Sequence, residues 1–196
     1  MSISADLVKQ LRERTGVGFM ECKRALEDAK GDIEEAVTLL RKRGLASLAR
    51  KAGRETKEGL IAAYVHNGKI GVMVEVNCES DFVARNPEFQ ALAKDIAMHI
   101  AASDPRFVRK EDVTEDLLAR ERDIYLEQAR STGKPEPVLQ KMVEGRMSKF
   151  YAETCLLEQP FVKEPNSTVQ EHIAGHIQKI GENIQVRRFI RFKLGE

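Results

Sequence analysis

His66-Asn67-Gly68-Lys69 stands between two β-rich stretches, 60–65 and 70–76, and Asn-Gly in that setting predicts a tight two-stranded hairpin. In the second stretch Ile70, Val72, Val74 and Val76 fall on one face at period two, so that face belongs to a core. A lone hairpin is at best marginally stable in water, and helical periods follow it in the chain. The expected class is therefore α+β: a small antiparallel sheet packed with several helices.

Residues 1–45 read as three short helices. Ser4 caps a first helix carrying Leu7, Val8 and Leu11, and Thr15-Gly16-Val17-Gly18 ends it. A second carries Met20, Ala25, Leu26 and Ala29 and closes at Gly31. Asp32 with Glu35 starts a third, with Ile33, Ala36, Val37 and Leu40 at helical spacing and Gly44 as its stop. Residues 46–57 are a basic connector, leaving 58–196 as the α+β core.

Within that domain, Ser103-Asp104-Pro105 stops a helix, and helices over about 114–130 and 136–151 form a projecting antiparallel hairpin, with Leu139, Met142, Val143 and Phe150 on one side of the second. Gln159-Pro160-Phe161 and Pro165-Asn166-Ser167 mark loops. A helix over 169–180 closes at Gly181, and a last strand alternates Ile184, Val186, Ile190, Phe192 and Leu194 with a mostly basic face.

The 32 basic and 31 acidic side chains nearly cancel, which argues against a chain built to coat nucleic acid. No apolar run approaches the roughly 20 residues that span a bilayer, and the start lacks a signal peptide, so no membrane is expected and the cytoplasm is the default. Cys22, Cys78 and Cys155 lie far apart without a CxxC pair, which predicts reduced thiols and neither zinc nor disulfides.

The 70–76 run leads into Asn77-Cys78-Glu79-Ser80-Asp81-Phe82-Val83-Ala84-Arg85-Asn86. Asn86-Pro87 then starts a helix with the apolar stripe Phe89, Leu92, Ala93, Ile96 and Ile100. Asp81 and Phe82 thus occupy a strand-to-helix connection, a common place for function. Two placements fit the pattern: Phe82 tucked under the sheet with Asp81 holding a turn, or Phe82 exposed as a wedge. Burial of such a wedge in a partner's pocket contributes ~2 kcal/mol or more.

Other constellations carry less. Glu75, Glu79 and Asp81 alternate, which is compatible with a magnesium-dependent hydrolase, but no third ligand type, histidine or nucleophile lies nearby in sequence. There is no Walker-type phosphate loop, and no cofactor is expected. His99 follows Asp95 by four residues and reads as half-buried and paired along its own helix. His172 and His176 are one turn apart without a third ligand, so no metal site is expected. Arg187-Arg188-Phe189-Ile190-Arg191-Phe192-Lys193 mixes cations with aromatics; with the basic connector it supports an alternative as an RNA-binding or ribosome-associated protein. The period-two apolar face accounts for Phe192 without RNA.

Leu11-Arg12-Glu13-Arg14-Thr15-Gly16-Val17-Gly18-Phe19-Met20-Glu21-Cys22-Lys23-Arg24-Ala25-Leu26 and the 77–86 segment together closely resemble the translation elongation factor Ts family. Lys141-Met142-Val143-Glu144-Gly145-Arg146 and Arg188-Phe189-Ile190-Arg191-Phe192 extend the likeness over nearly the whole chain. The resemblance implies a guanine-nucleotide exchange factor for elongation factor Tu, the GTPase that delivers aminoacyl-tRNA, and no bond-making chemistry. It implies that the amino-terminal helices form a ubiquitin-associated-type bundle whose Leu11, Arg12, Phe19, Met20 and Lys23 pack on the partner. Asp81 and Phe82 match the residues that intrude near the partner's magnesium site, flanked by Ser80, Val83, Ala84, Arg85 and Asn86, and His99 matches a helix histidine facing the partner. Ser80 stands where the family often has Thr, and Phe19 where it often has Met. Longer members carry a second half of the core, whereas this chain ends at Glu196, so the resemblance implies a two-fold homodimer.

Overall fold

In a computed structural model, which describes residues 3–196, the chain divides into two compact units. One comprises Met1–Ala62, Val74–Asp95 and Gln170–Arg187; the other comprises Ala63–Met73, Ile96–Val169 and Arg188–Glu196. A three-stranded sheet has the order β1 (Glu58–His66), β2 (Ile70–Cys78), β5 (Ile184–Lys193).

The first unit begins with three helices, α1 (Ala5–Thr15), α2 (Phe19–Asp28) and α3 (Ile33–Lys51). Their shared core is Val8, Leu11, Val17, Cys22, Ala25, Leu26, Ala29, Ala36 and Leu40. Three of their ends have a local cause. The Ser4 hydroxyl accepts the Leu7 N–H at 3.3 Å, the Asp32 carboxylate accepts the Glu35 N–H at 2.8 Å, and Gly16 takes the left-handed conformation (φ 67°) that closes α1. Met20, expected to pack within the bundle, is instead 58% exposed, and Cys22 fills the interior.

Gly44 does not stop α3, which continues to Lys51. Here α3 packs beside α8 (Val169–Ile180): a Cβ at Gly44 would lie 3.3 Å from the Gln178 side-chain oxygen and at an ordinary 3.5 Å from the Ala174 carbonyl oxygen. Seven residues later the Lys51 ammonium donates to the carbonyls of Ile177 (3.3 Å) and Gly181 (2.6 Å), a cation at the negative end of α8.

In β2, Val72, Val74, Val76 and Cys78 are buried, as the alternation requires. The hairpin is the expected one. Asn67 and Gly68 both have positive φ (50° and 66°), and the Lys69 N–H donates to the His66 carbonyl at 2.9 Å. A four-residue helix, α4 (Asp81–Ala84), leads into α5 (Pro87–Ser103), where the Asn86 side chain accepts the Glu88 N–H at 2.9 Å. Phe89, Leu92, Ala93, Ile96 and Ile100 are all buried.

The second unit includes the antiparallel pair α6 (Glu115–Arg130) and α7 (Glu136–Thr154). Val113, Met147, Phe150 and Cys155 form its buried cluster, with Leu117, Leu118, Tyr125 and Val143 packed around. The segments expected as loops at 159–161 and 165–167 lie in two short antiparallel strands, β3 (Pro160–Phe161) and β4 (Glu164–Thr168).

The last strand departs from its period. Ile184 and Val186 are buried, but Ile190, Phe192 and Leu194 are exposed, and the Arg191 side chain lies inside. It pairs with Asp104 at 3.1 Å and reaches the Ala101 carbonyl at 3.5 Å, so a cation meets the carbonyl end of α5.

Candidate functional site

The end of β2 and the turn after it are fastened from several directions. The Asn77 amide donates to the Glu58 carbonyl at 3.3 Å. Gly59, at φ 145°, lets β1 pass so close that a Cβ there would sit 2.2 Å from the Val76 oxygen. The buried Cys78 thiol donates to the Ser80 carbonyl at 3.2 Å. Burial, and next the Glu182 carboxylate, push its pKa up to about 11, so it is a donor at neutral pH.

Glu182, in the connection between α8 and β5, supplies the main anchor. One carboxylate oxygen accepts the N–H groups of Glu79 (3.1 Å) and Ser80 (3.0 Å), and the other accepts the Ser80 hydroxyl at 2.6 Å. The Ser80 oxygen in turn accepts the Val83 N–H at 3.4 Å and caps α4. The clamp is reciprocal, because the Glu79 carboxylate accepts the Asn183 N–H at 2.6 Å and pairs with Arg54 at 3.4 Å. Asn183 also donates to the Arg54 carbonyl at 3.0 Å.

On this mount Phe82 is 82% exposed. The placement under the sheet is therefore overturned: the ring stands in water on the first turn of α4. Asp81 beside it pairs with Arg85 at 2.6 Å; the Arg85 side chain is exposed and that of Asp81 half-buried at the surface, so the pair adds little stability. Val83 and Ala84 are half-buried, Arg85 is exposed and Asn86 caps α5.

The remaining expected site residues divide. Arg12, Phe19 and Met20 are exposed, and Lys23 is half-buried with its ammonium 3.9 Å from Glu27. Leu11 is not a surface residue but a fully buried member of the bundle core. His99, expected half-buried beside Asp95 or facing a partner, is fully buried. Its Nδ1 accepts the Val162 N–H at 3.2 Å, which leaves Nε2–H to donate to Gln159 Oε1 at 2.9 Å. The Gln159 amide donates onward to the carbonyls of Ser103 (3.2 Å) and Glu153 (2.8 Å). Burial holds the His99 pKa below its ordinary value, so the ring is neutral inside a closed polar network.

The three alternating acids go separate ways: Glu75 to Arg187 at 3.4 Å, Glu79 to Arg54 and Asn183, Asp81 to Arg85. His172 and His176 do meet, with ring centroids 4.9 Å apart, and Glu88 lies 3.3 Å from His176 Nδ1. Lys179 occupies Glu88 at 2.6 Å, and among the described residues no group of three or more side chains is arranged to hold a metal. Two cations of the proposed RNA platform, Arg187 and Arg191, are engaged with Glu75 and Asp104.

Residues 20–196 match the family profile described as elongation factor TS. An elongation factor Ts of Solibacter usitatus is 63% identical over 99% of this chain and 92% of its own length. That of Koribacter versatilis is 60% identical over all of this chain and 90% of its own, and that of Fervidobacterium nodosum is 56% identical over the whole of both. The chain belongs to the elongation factor Ts family. Membership makes it a translation elongation factor of mixed α and β architecture. Among the described residues, no helix is long and apolar enough to cross a membrane.

For an elongation factor Ts, the residues around the 77–86 motif proved as informative as the motif. Glu182, Asn183, Arg54 and Gly59 were not evident from sequence. The available signal was that Glu182-Asn183 also sits in a helix-to-strand connection, after Gly181 and before Ile184.

Proposed function

We propose that this chain is a guanine-nucleotide exchange factor that binds elongation factor Tu carrying GDP and promotes GDP release during translation elongation. The observation that carries the reading is Phe82, a large apolar side chain held 82% exposed on a turn fastened by charge-assisted hydrogen bonds. An aromatic presented this way, in a member of this family, has the chemistry of a wedge.

GDP on a GTPase is held by backbone donors around its phosphates and by a magnesium ion. An exchange factor speeds release by favouring a partner conformation in which those ligands are displaced, and the coupling is reciprocal: as the factor weakens GDP, GDP weakens the factor. A ~10⁴-fold loosening requires about 5.5 kcal/mol of differential contact. One buried Phe supplies about 2 kcal/mol or somewhat more, so Phe82 is insufficient alone. The exposed face of the bundle, with Arg12, Phe19, Met20 and Lys23, therefore acts as the holding contact while Phe82 intrudes. Asp81, whose exposed pair with Arg85 is cheap to break, perturbs the phosphate-side network.

Two copies pair in solution. Val65, Met73, Ile190 and Phe192, all on strands, are exposed apolar residues in one unit, a composition that favours association. Sedimentation of the wild type and of Ile190→Asp/Phe192→Asp checks this; a wild-type monomer at micromolar concentration contradicts it.

The decisive assay is release of labelled GDP from purified elongation factor Tu with and without this chain. Acceleration at sub-stoichiometric amounts is expected, and release no faster than the spontaneous rate removes the reading.

A further inference from the structure

Resting on the exchange reading, we propose that Glu182 is the positioning residue of the wedge: it acts on release of the partner's nucleotide only through the turn that carries Phe82. Three features carry this. Glu182 receives three hydrogen bonds from two consecutive residues, Glu79 and Ser80, which directly precede Asp81 and Phe82. Its Ser80 contact is relayed into α4, because the same hydroxyl oxygen caps Val83. Among the described residues, Glu182 is the carboxylate that takes both backbone donors of this turn, whereas Asp81 pairs with its own neighbour Arg85.

The physical role follows from the length of α4. Four residues cannot hold a helical turn by their own hydrogen bonds, since nucleation of a helix is unfavourable in isolation. A turn so short and so exposed would sample other conformations unless its start were fixed from outside. Glu182 fixes it with charge-assisted bonds, stronger than neutral ones. Its own backbone lies between a helix closed by Gly181 and the first residues of β5, where Ile184 and Val186 are buried, so the anchor is tied into regular structure on both sides. A pre-ordered wedge spends no contact energy on ordering when it meets its partner.

The test measures stimulated GDP release from elongation factor Tu as a function of factor concentration, which separates the maximal rate from the half-saturating concentration. Glu182→Ala is expected to lower the maximal rate about tenfold and to move half-saturation by less than about twofold. Glu182→Gln recovers part of the rate, because its carbonyl oxygen can still accept both backbone donors, without the carboxylate's charge. Ser80→Ala, which leaves the carboxylate and both backbone bonds in place, lowers the maximal rate about threefold. Phe82→Ala/Glu182→Ala is no slower than Phe82→Ala alone, since Glu182 acts through the ring. Amide exchange at Glu79 and Ser80 quickens in Glu182→Ala while that of the α1–α3 bundle does not.

A wild-type maximal rate in Glu182→Ala, or losses that multiply in the double variant, overturns the inference. Should Glu182→Ala melt below the assay temperature, Ser80→Ala and its double variant with Phe82→Ala decide by the same criteria. The two levels fail differently: a slow Phe82→Ala with a normal Glu182→Ala removes only the positioning role, while a normal Phe82→Ala removes the wedge itself.

Discussion

The α1–α3 bundle and the Asp81–Phe82 turn both present aromatic or apolar side chains to water, yet they are held by opposite means. The bundle exposes Phe19 and Met20 from helices ordered by their own apolar core, with every member of that core within residues 8–40. The turn exposes Phe82 from four helical residues, none of them buried, ordered by hydrogen bonds to a carboxylate 102 and 103 positions away. Exposed apolar side chains can thus be mounted on locally ordered apolar packing or on long-range polar fastening. The first is robust, and its loss is a stability effect; the second is specific, and its loss is felt in orientation.

Substitutions that strike one mount and spare the other break or sharpen this contrast. Leu11→Ala should destabilise the bundle by about 2–5 kcal/mol in denaturant unfolding, because it opens a cavity in the core the three helices share. A cost below about 1 kcal/mol would return Leu11 to the surface. Gly59→Ala should cost about 3 kcal/mol or more, since its Cβ would meet the Val76 oxygen at 2.2 Å and L-residues rarely adopt φ 145°. The damage should appear as faster amide exchange in β1 and at 76–80 rather than in the bundle.

Acid should act outside both mounts, on α8. His176 in α8 is held down to about 4, by burial first and by His172 second. The unfolded imidazole takes up a proton below about 6.5, whereas the folded one resists until about pH 4. Stability is therefore full above the unfolded value and falls progressively between pH 6.5 and 4, by on the order of 3 kcal/mol. His176→Gln should flatten that slope in pH-dependent unfolding; an unchanged slope would assign it to other groups. The smallest effect expected is Ser4→Ala, about 1 kcal/mol through loss of the α1 cap, read as the shift in melting temperature.

Local causes were legible before the structure. Ser4, Asp32, Asn86-Pro87, Asn67-Gly68 and Gly181 each dictate a cap, turn or stop from neighbouring residues, and the long helices and the strands of the three-stranded sheet follow in order, whereas β3 and β4 read as loops. Long-range causes were not. Gly44 resembles a stop until Ala174 is seen beside it, and Arg191 breaks the apolar period of β5 because Asp104 and the end of α5 receive it. His99 and Gln159 lie 60 residues apart, so nothing local announces that the histidine is enclosed. The exposure of Phe82 was half legible: the 77–86 motif placed it in a connection, but only Glu182 explains why that connection stands still.

The central claim is a division of labour between the two mounts, and stimulated GDP release from elongation factor Tu tests it most directly when Phe82→Ala and Phe19→Ala are compared across factor concentration. Phe82→Ala should lower the maximal rate and leave half-saturation near wild type, whereas Phe19→Ala should raise the half-saturating concentration and leave the maximal rate. If both substitutions change the same parameter by similar factors, the bundle does not hold while the turn intrudes, and the account is wrong.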